Sequence, residues 1–216
     1  MNYPLWSLWL TFLLSPYFSN AQRNCVLSKE SEGIKVYLCD SEISNFKTII
    51  VELDVPSNLS QYAALSLDIG QYKDWQYKAV APRLLTQISN TELYYYSEVQ
   101  TPWPTTNRDM IFHFNMYQKP EDKTLFVELT IYPDYLPLEN GKVRIPRGHS
   151  VLTVTPIDKA NVHVRYVLDI DPGGVVPAWI ANMFAASAPW HTFKNFRDEI
   201  ISQGDNRLTV PFIEDY

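Results

Sequence analysis

The chain has 216 residues, a length that suits one domain or two small ones. Eighteen Lys and Arg against 24 Asp and Glu leave a formal charge of -6. That balance argues against a nucleic-acid partner, which needs clustered basic residues, and no run of like charge marks electrostatic docking on anionic lipid.

The N-terminus stands apart. Leu5 to Phe18 is almost wholly apolar, is interrupted by Pro16, and gives way to the small residues Ser19-Asn20-Ala21. It is short for a permanent membrane span and has the layout of a secretory signal peptide cleaved after Ala21, although no Lys or Arg precedes the apolar run. An uncleaved anchor or a buried N-terminal segment is the alternative. On the first reading residues 1–21 are a leader, 22–203 form one domain, 204–216 are a poorly ordered tail, and the protein is periplasmic or secreted.

The first element is a hairpin, Val26–Lys29 with Ile34–Leu38, turning near Ser31-Glu32-Gly33. It would set Cys25 almost opposite Cys39, so export into an oxidising compartment would allow a cross-strand disulfide; two free thiols are the other possibility. Phe46–Val55 is rich in β-branched residues and reads as a strand. Pro56-Ser57-Asn58 offers a helix start, followed by Leu59, Tyr62, Ala63 and Leu65 near helical spacing. Asp68 to Trp75 reads as a break, and Ala79 to Leu85 as a short helix with Pro82 in its first turn.

Strands follow. Leu93–Gln100 carries three successive tyrosines, and Met110–Gln118 alternates, with Met110, Phe112, Phe114 and Met116 on one side. Leu125–Tyr132, Val151–Pro156 and Val162–Ile170 complete an antiparallel set joined by short connections. A long helix runs from Pro177 to about Gln203, with Ile180, Met183, Phe184, Ser187 and His191 on one face and Pro189 expected to kink it. The architecture expected is α+β, a curved antiparallel sheet covered by one long helix, with room for a ligand between them.

Four stretches together resemble the START lipid-transfer family: Gly33 to Tyr37, Asp68 to Trp75, Pro102-Trp103-Pro104 through Asn107-Arg108-Asp109, and Asp171-Pro172-Gly173-Gly174 through Pro177-Ala178-Trp179-Ile180-Ala181-Asn182. The resemblance spans Cys25 to Ser202 and implies a helix-grip fold over a lipid-sized tunnel that takes sterols, phospholipids, ceramide or similar molecules. Sterol-carrying members place an acidic residue and an Arg opposite each other in the cavity; here Tyr95 and Phe114 stand at those positions. That implies a more apolar site with a tyrosine hydroxyl as its polar handle.

Tyr95, Phe112, Phe114, Met116, Ile180, Met183, Phe184 and Ser187 are therefore the candidate ligand contacts, with Ser187, small and polar in an apolar stripe, the most informative. Arg108 and Asp109, adjacent on a strand, should point to opposite faces and find separate structural partners. Asp171 should cap the turn before the last helix, and Trp179 belongs to the same structural motif. The loop Pro133 to Arg147 has an apolar tip, Tyr135-Leu136-Pro137-Leu138, that could enter a membrane surface during exchange or fold onto itself. The four histidines show no metal-binding spacing, and no nucleophile elbow or phosphate loop occurs. The expectation is a monomeric carrier of a lipid or other hydrophobic molecule, transiently at a membrane, with no cofactor, no metal and no chemistry on the ligand. A non-transferring sensor or scavenger comes second and a cyclase- or hydrolase-like cavity enzyme third.

Overall fold

The structure, a computed structural model, describes residues 24–41, 46–204 and 209–216, without the side chains of 178–180 and 182–184. The leader expected at 1–21 lies outside the described residues. So does any contact of the Trp179, Ile180, Met183 and Phe184 side chains.

Among the described residues ten strands form one curved sheet, in the order β1-β2-β3-β10-β9-β7-β6-β5-β4. β1 (Cys25–Ser31), β2 (Ile34–Cys39) and β3 (Thr48–Val55) make an N-terminal meander. β4 (Ala79–Gln87), β5 (Glu92–Val99), β6 (Arg108–Gln118) and β7 (Leu125–Ile131) make a second. β9 (Arg147–Pro156) and β10 (Val162–Asp171) close the gap, because β10 pairs with β3 on one side and β9 on the other. Two residues, Val143–Arg144, form β8, a parallel addition to the start of β6. Cys25 faces Cys39 across β1 and β2, and their sulfurs are bonded.

Ala79 to Leu85 is strand β4, not the short helix its proline suggested. Ala81 has φ +53°, and the register slips between Val80 and Arg83 and again between Leu84 and Thr86. These bulges hide the period-two pattern. Pro82 is tolerated because β4 is an edge strand, where a missing N–H interrupts no second ladder.

Helix α1 (Leu59–Leu67) begins where Asn58 accepts the Gln61 amide at 2.8 Å. Asp68 to Trp75 is more regular than a break: a 3-10 turn at Ile69–Gln71 leads into the one-turn helix α2 (Tyr72–Trp75). Helix α3 (Ala178–Gln203) crosses the sheet. It is tied to the β1–β2 turn by Trp190 Nε1 to the Ser31 carbonyl at 3.2 Å and Arg197 Nη1 to the Glu32 carbonyl at 2.8 Å. Residues 209–216 do not trail off. The Val210 amide donates to Ser60 Oγ, Asp215 Oδ1 accepts the Ser60 amide at 2.9 Å, and Ile213 is buried. The tail therefore supplies a second cap for α1 and one more core side chain, which a scan for helix and strand periods does not detect.

Candidate ligand cavity

Between the sheet and α3 lies a cavity of about 630 Å³, in the size range of small-ligand sites. Alternation along β5 and β6 aims Tyr95, Met110, Phe112 and Phe114 into it, and Val127, Leu129 and Leu152 extend the same wall. Tyr95 lies opposite Phe112, and their rings stack 4.9 Å apart. Met116 continues the Phe112 and Phe114 face but does not line the cavity; it is packed in the core beyond its wall.

On the helix wall the described side chains place Ser187 outside the cavity lining, and Ile180, Met183 and Phe184 lie outside the described side chains. Ala181, Ala185, Ala188, Pro189, Thr192 and Phe193 face the cavity, a single helical face by their three- and four-residue spacing. Ser187 lies two residues from Ala185, on the far side of the helix, and does not line the cavity. Ala181, Ala185 and Ala188 are small, so this face leaves space beside the sheet. Pro189 adds a consequence of its own: it has no N–H to offer the Ala185 carbonyl one turn earlier, on that same face.

Aromatic rings close the inner end. Phe196 meets Tyr62 at 4.8 Å and Trp75 at 4.9 Å, and Tyr72 meets Trp75 at 4.5 Å. Burial pushes the Tyr62, Tyr72 and Tyr95 phenols well above their ordinary values, and Tyr166 up to about 12. They stay neutral, able to donate or accept one hydrogen bond. Tyr72 donates to the Ser66 carbonyl at 2.5 Å. The Trp75 indole N–H is buried without an acceptor among the described residues, a cost that sequence reading could not foresee.

At the other end stand Arg108, Thr101, Ile145, Pro172 and Val176. Arg108 and Asp109 diverge, as neighbours on a strand must. Asp109 points away from the cavity into a buried pair with Arg144. Arg108 lines the cavity instead, and its Nη1 donates to the Thr106 carbonyl at 2.6 Å. A second cavity, about 290 Å³, opens beside it between Pro104, Thr105, Thr106, Val143, Val175 and Pro177, and Arg108 lines this one too. The Asp171 carboxylate accepts the Gly173 amide at 3.0 Å and so shapes the turn before α3. Gly173 has φ +64°, and a Cβ there would meet Pro146 at 3.0 Å, so the close approach of this turn to β8 requires glycine.

The 133–147 loop is largely held down. Tyr135 stacks on Tyr94 at 4.4 Å, and the carbonyls of Pro133, Leu136 and Pro137 accept from Arg144. Leu138 is the member of its apolar tip that projects, 77 % exposed. None of the four histidines is among the cavity-lining residues: His113 pairs with Glu92, His163 with Asp54, His149 with Thr130, and His191 stacks on the outer side of Tyr77, a lining residue. Among the described residues no three metal-binding side chains come together.

Comparison with known proteins agrees with this architecture. A family profile described as START domain matches residues 8–198, beginning inside the stretch read as a leader. An uncharacterised protein of Pseudomonas aeruginosa is 31 % identical over 171 residues, covering 79 % of this chain and 84 % of that one. The phosphatidylcholine transfer protein of Mus musculus is 26 % identical over 153 residues, 64 % of this chain and 72 % of its own. Among solved structures, a STAR-related lipid transfer protein fragment from Xanthomonas axonopodis superposes with a TM-score of 0.75 at 34 % identity, covering 82 % of this chain and 98 % of that one. Human StAR-related lipid transfer protein 5, at 16 % identity and a TM-score of 0.70 over 86 % of this chain and 89 % of its own, shares the fold. The chain belongs to the START domain family, with the helix-grip fold of an antiparallel sheet around a C-terminal helix.

Proposed function

We propose that this protein binds one lipid, or a molecule of similar apolar bulk, between the sheet and α3, and carries it from membrane to membrane chemically unchanged. The observation that supports this most is the cavity of about 630 Å³, walled by Phe112, Phe114, Leu129, Leu152 and the alanine face of α3. Each apolar Å² that the ligand removes from water contributes ~25 cal/mol before association costs are set against it. The lipid-transfer names of the mouse and Xanthomonas relatives point the same way.

Catalysis is disfavoured by the lining. Among the described residues it holds no histidine and no carboxylate side chain; its ionisable groups are Lys47, Arg108, Tyr77 and the four buried tyrosines. A general acid or base working near neutral pH would need a pKa tuned toward that range. Tyr62, Tyr72, Tyr95 and Tyr166 are displaced away from it.

Exchange is assigned to the end where Arg108 lies. Val175 and Trp103 are both exposed on loops there, Trp103 beside the cis Trp103–Pro104 bond, and Leu138 projects from the 133–147 loop. Such exposed apolar tips suit a brief membrane contact. The apolar N-terminus and the Cys25–Cys39 disulfide support an exported protein, periplasmic or secreted. The test is transfer of a fluorescent lipid from donor to acceptor vesicles. Acceleration by catalytic amounts of protein supports a carrier; tight one-to-one binding without movement would make it a sensor instead.

A further inference from the structure

We propose that Asn140 is a site of covalent self-modification: its side-chain amide is lost to attack by the Gly141 nitrogen, and the carboxylate left behind weakens the contact of this loop with a membrane surface. The effect on the membrane rests on the contact proposed above; the modification stands without it.

Asn140 is the one asparagine of the chain that a glycine follows. Both residues are exposed and in a turn, and neither the Asn140 side chain nor the Gly141 N–H has a hydrogen-bond partner among the described residues. Gly141 has φ +80°, and nothing stands within 4 Å of where a Cβ would be, so no side chain shields its nitrogen. The reaction needs no enzyme and no cofactor. The deprotonated Gly141 nitrogen attacks Asn140 Cγ, and the new N–Cγ bond closes a cyclic imide. The Cγ–Nδ2 bond breaks, and the Nδ2 group takes up the proton and leaves as ammonia. Water then adds to either imide carbonyl and opens the ring. The product at position 140 is aspartate, or isoaspartate with the main chain routed through the former side chain. Asparagine is a thermolabile residue for this reason.

The surroundings allow this without unfolding. On one side the carbonyls of Pro133, Leu136 and Pro137 are held by Arg144. On the other the Val143 amide donates to the Asn107 carbonyl at 2.9 Å and the Ile145 amide to the Asp109 carbonyl at 3.0 Å. The main chain of 138–142 is the span between these anchors, free to close the ring, while the anchors keep the change away from the sheet.

The new charge is not absorbed locally. Among the described residues the two cations that reach this tip are already engaged: Lys142 with Glu98 at 2.6 Å and Glu139 at 2.7 Å, and Arg83 with Glu139 at 3.4 Å. One added carboxylate takes the formal charge from -6 to -7. It does so two residues from Leu138, the apolar side chain that projects from the loop. An uncompensated anion there is costly to bring into a bilayer and is repelled by anionic lipid.

The experiment ages the purified full chain in mildly alkaline and in mildly acidic buffer, followed by isoelectric focusing and peptide mapping. An acid-shifted form is expected to accumulate, faster in alkali because the attacking nitrogen must lose its proton, with amide loss confined to position 140. Asn140→Gln, whose longer side chain closes the ring poorly, should keep its charge. Amide loss at 140 no faster than at the other asparagines, or an equal shift in Asn140→Gln, overturns the modification. Co-sedimentation with vesicles containing phosphatidylglycerol then reads the consequence. Aged wild type and Asn140→Asp should associate about fivefold less than fresh wild type, with unchanged thermal melts, and ageing should leave Asn140→Gln unaffected. Equal association of Asn140→Asp and fresh wild type overturns the effect on the membrane. Fresh wild type that associates with no vesicle removes the membrane contact proposed above and this effect with it, and the focusing pattern then decides the modification alone.

Discussion

Arg144 grips Asp109 through two hydrogen bonds, Nε to Oδ1 at 3.0 Å and Nη2 to Oδ2 at 2.8 Å, with the side chains 5 % and 1 % exposed. The same guanidinium holds three carbonyls of the 133–137 segment. One side chain thus fastens a surface loop to the strand whose first residue, Arg108, faces the cavity. Removing it strands a buried carboxylate. Arg144→Met should cost about 3–5 kcal/mol in urea unfolding. A cost near zero would mean that solvent reaches Asp109 and that the loop is held by other contacts.

Cys25 and Cys39 close a short loop, 14 residues apart in sequence. Cross-linking a loop of that length removes unfolded-state entropy equivalent to about 3 kcal/mol. Reduction, or Cys25→Ser with Cys39→Ser, should lower the unfolding midpoint by a corresponding amount. A midpoint that reductant does not move would show that the bond does not form in solution.

The C-terminal tail contributes through Ile213 and Asp215. Ile213→Ala should destabilise by about 2 kcal/mol, the lower end for a buried isoleucine because the site lies near the surface. Asp215→Ala should cost about 1 kcal/mol by freeing the Ser60 amide in the first turn of α1. Both are readable by denaturant titration, and tail variants indistinguishable from wild type would return the segment to a disordered end.

His191 gives the protein a pH dependence. Burial first, then Lys29 and Lys194, holds its pKa below the ordinary 6.5. The unfolded chain therefore binds a proton at a pH where the folded one resists it. Stability from this group is complete above about 6.5 and declines as pH falls from there toward the lower folded value. Urea midpoints measured at about pH 7.5 and about pH 5.5 should differ in the wild type and differ less in His191→Gln. An identical drop in both proteins would assign the dependence to carboxylates instead.

Sequence reading reached the sheet because most strands alternate cleanly. Met110, Phe112, Phe114 and Met116 face inward together, and Cys25 meets Cys39 where the hairpin turn places it. It misread Ala79 to Leu85 because two bulges erase the alternation and leave Pro82 as the most visible local signal. Of the α3 contacts expected, Ser187 is not among the cavity-lining residues, because apolar periodicity reports what a helix buries. A cavity is made by what a helix withholds, and Ala181, Ala185 and Ala188 carry no signal except small size. Arg108 ligates a backbone carbonyl, that of Thr106, as its structural reading expects, but it also lines the cavity. That no carboxylate among the described residues pairs with it depends on where Arg144, Lys142 and Asn107 lie in three dimensions.

The measurement that bears most directly on the central claim is native mass spectrometry of the wild type and of Ala185→Trp after incubation with vesicles of a total lipid extract. An indole at position 185 would fill space that the alanine leaves open on the cavity face of α3. The account predicts one lipid per protein on the wild type and none on the folded variant. A wild type that takes no lipid, or a variant that takes it equally well, would contradict the account by showing that this cavity is not where the ligand binds.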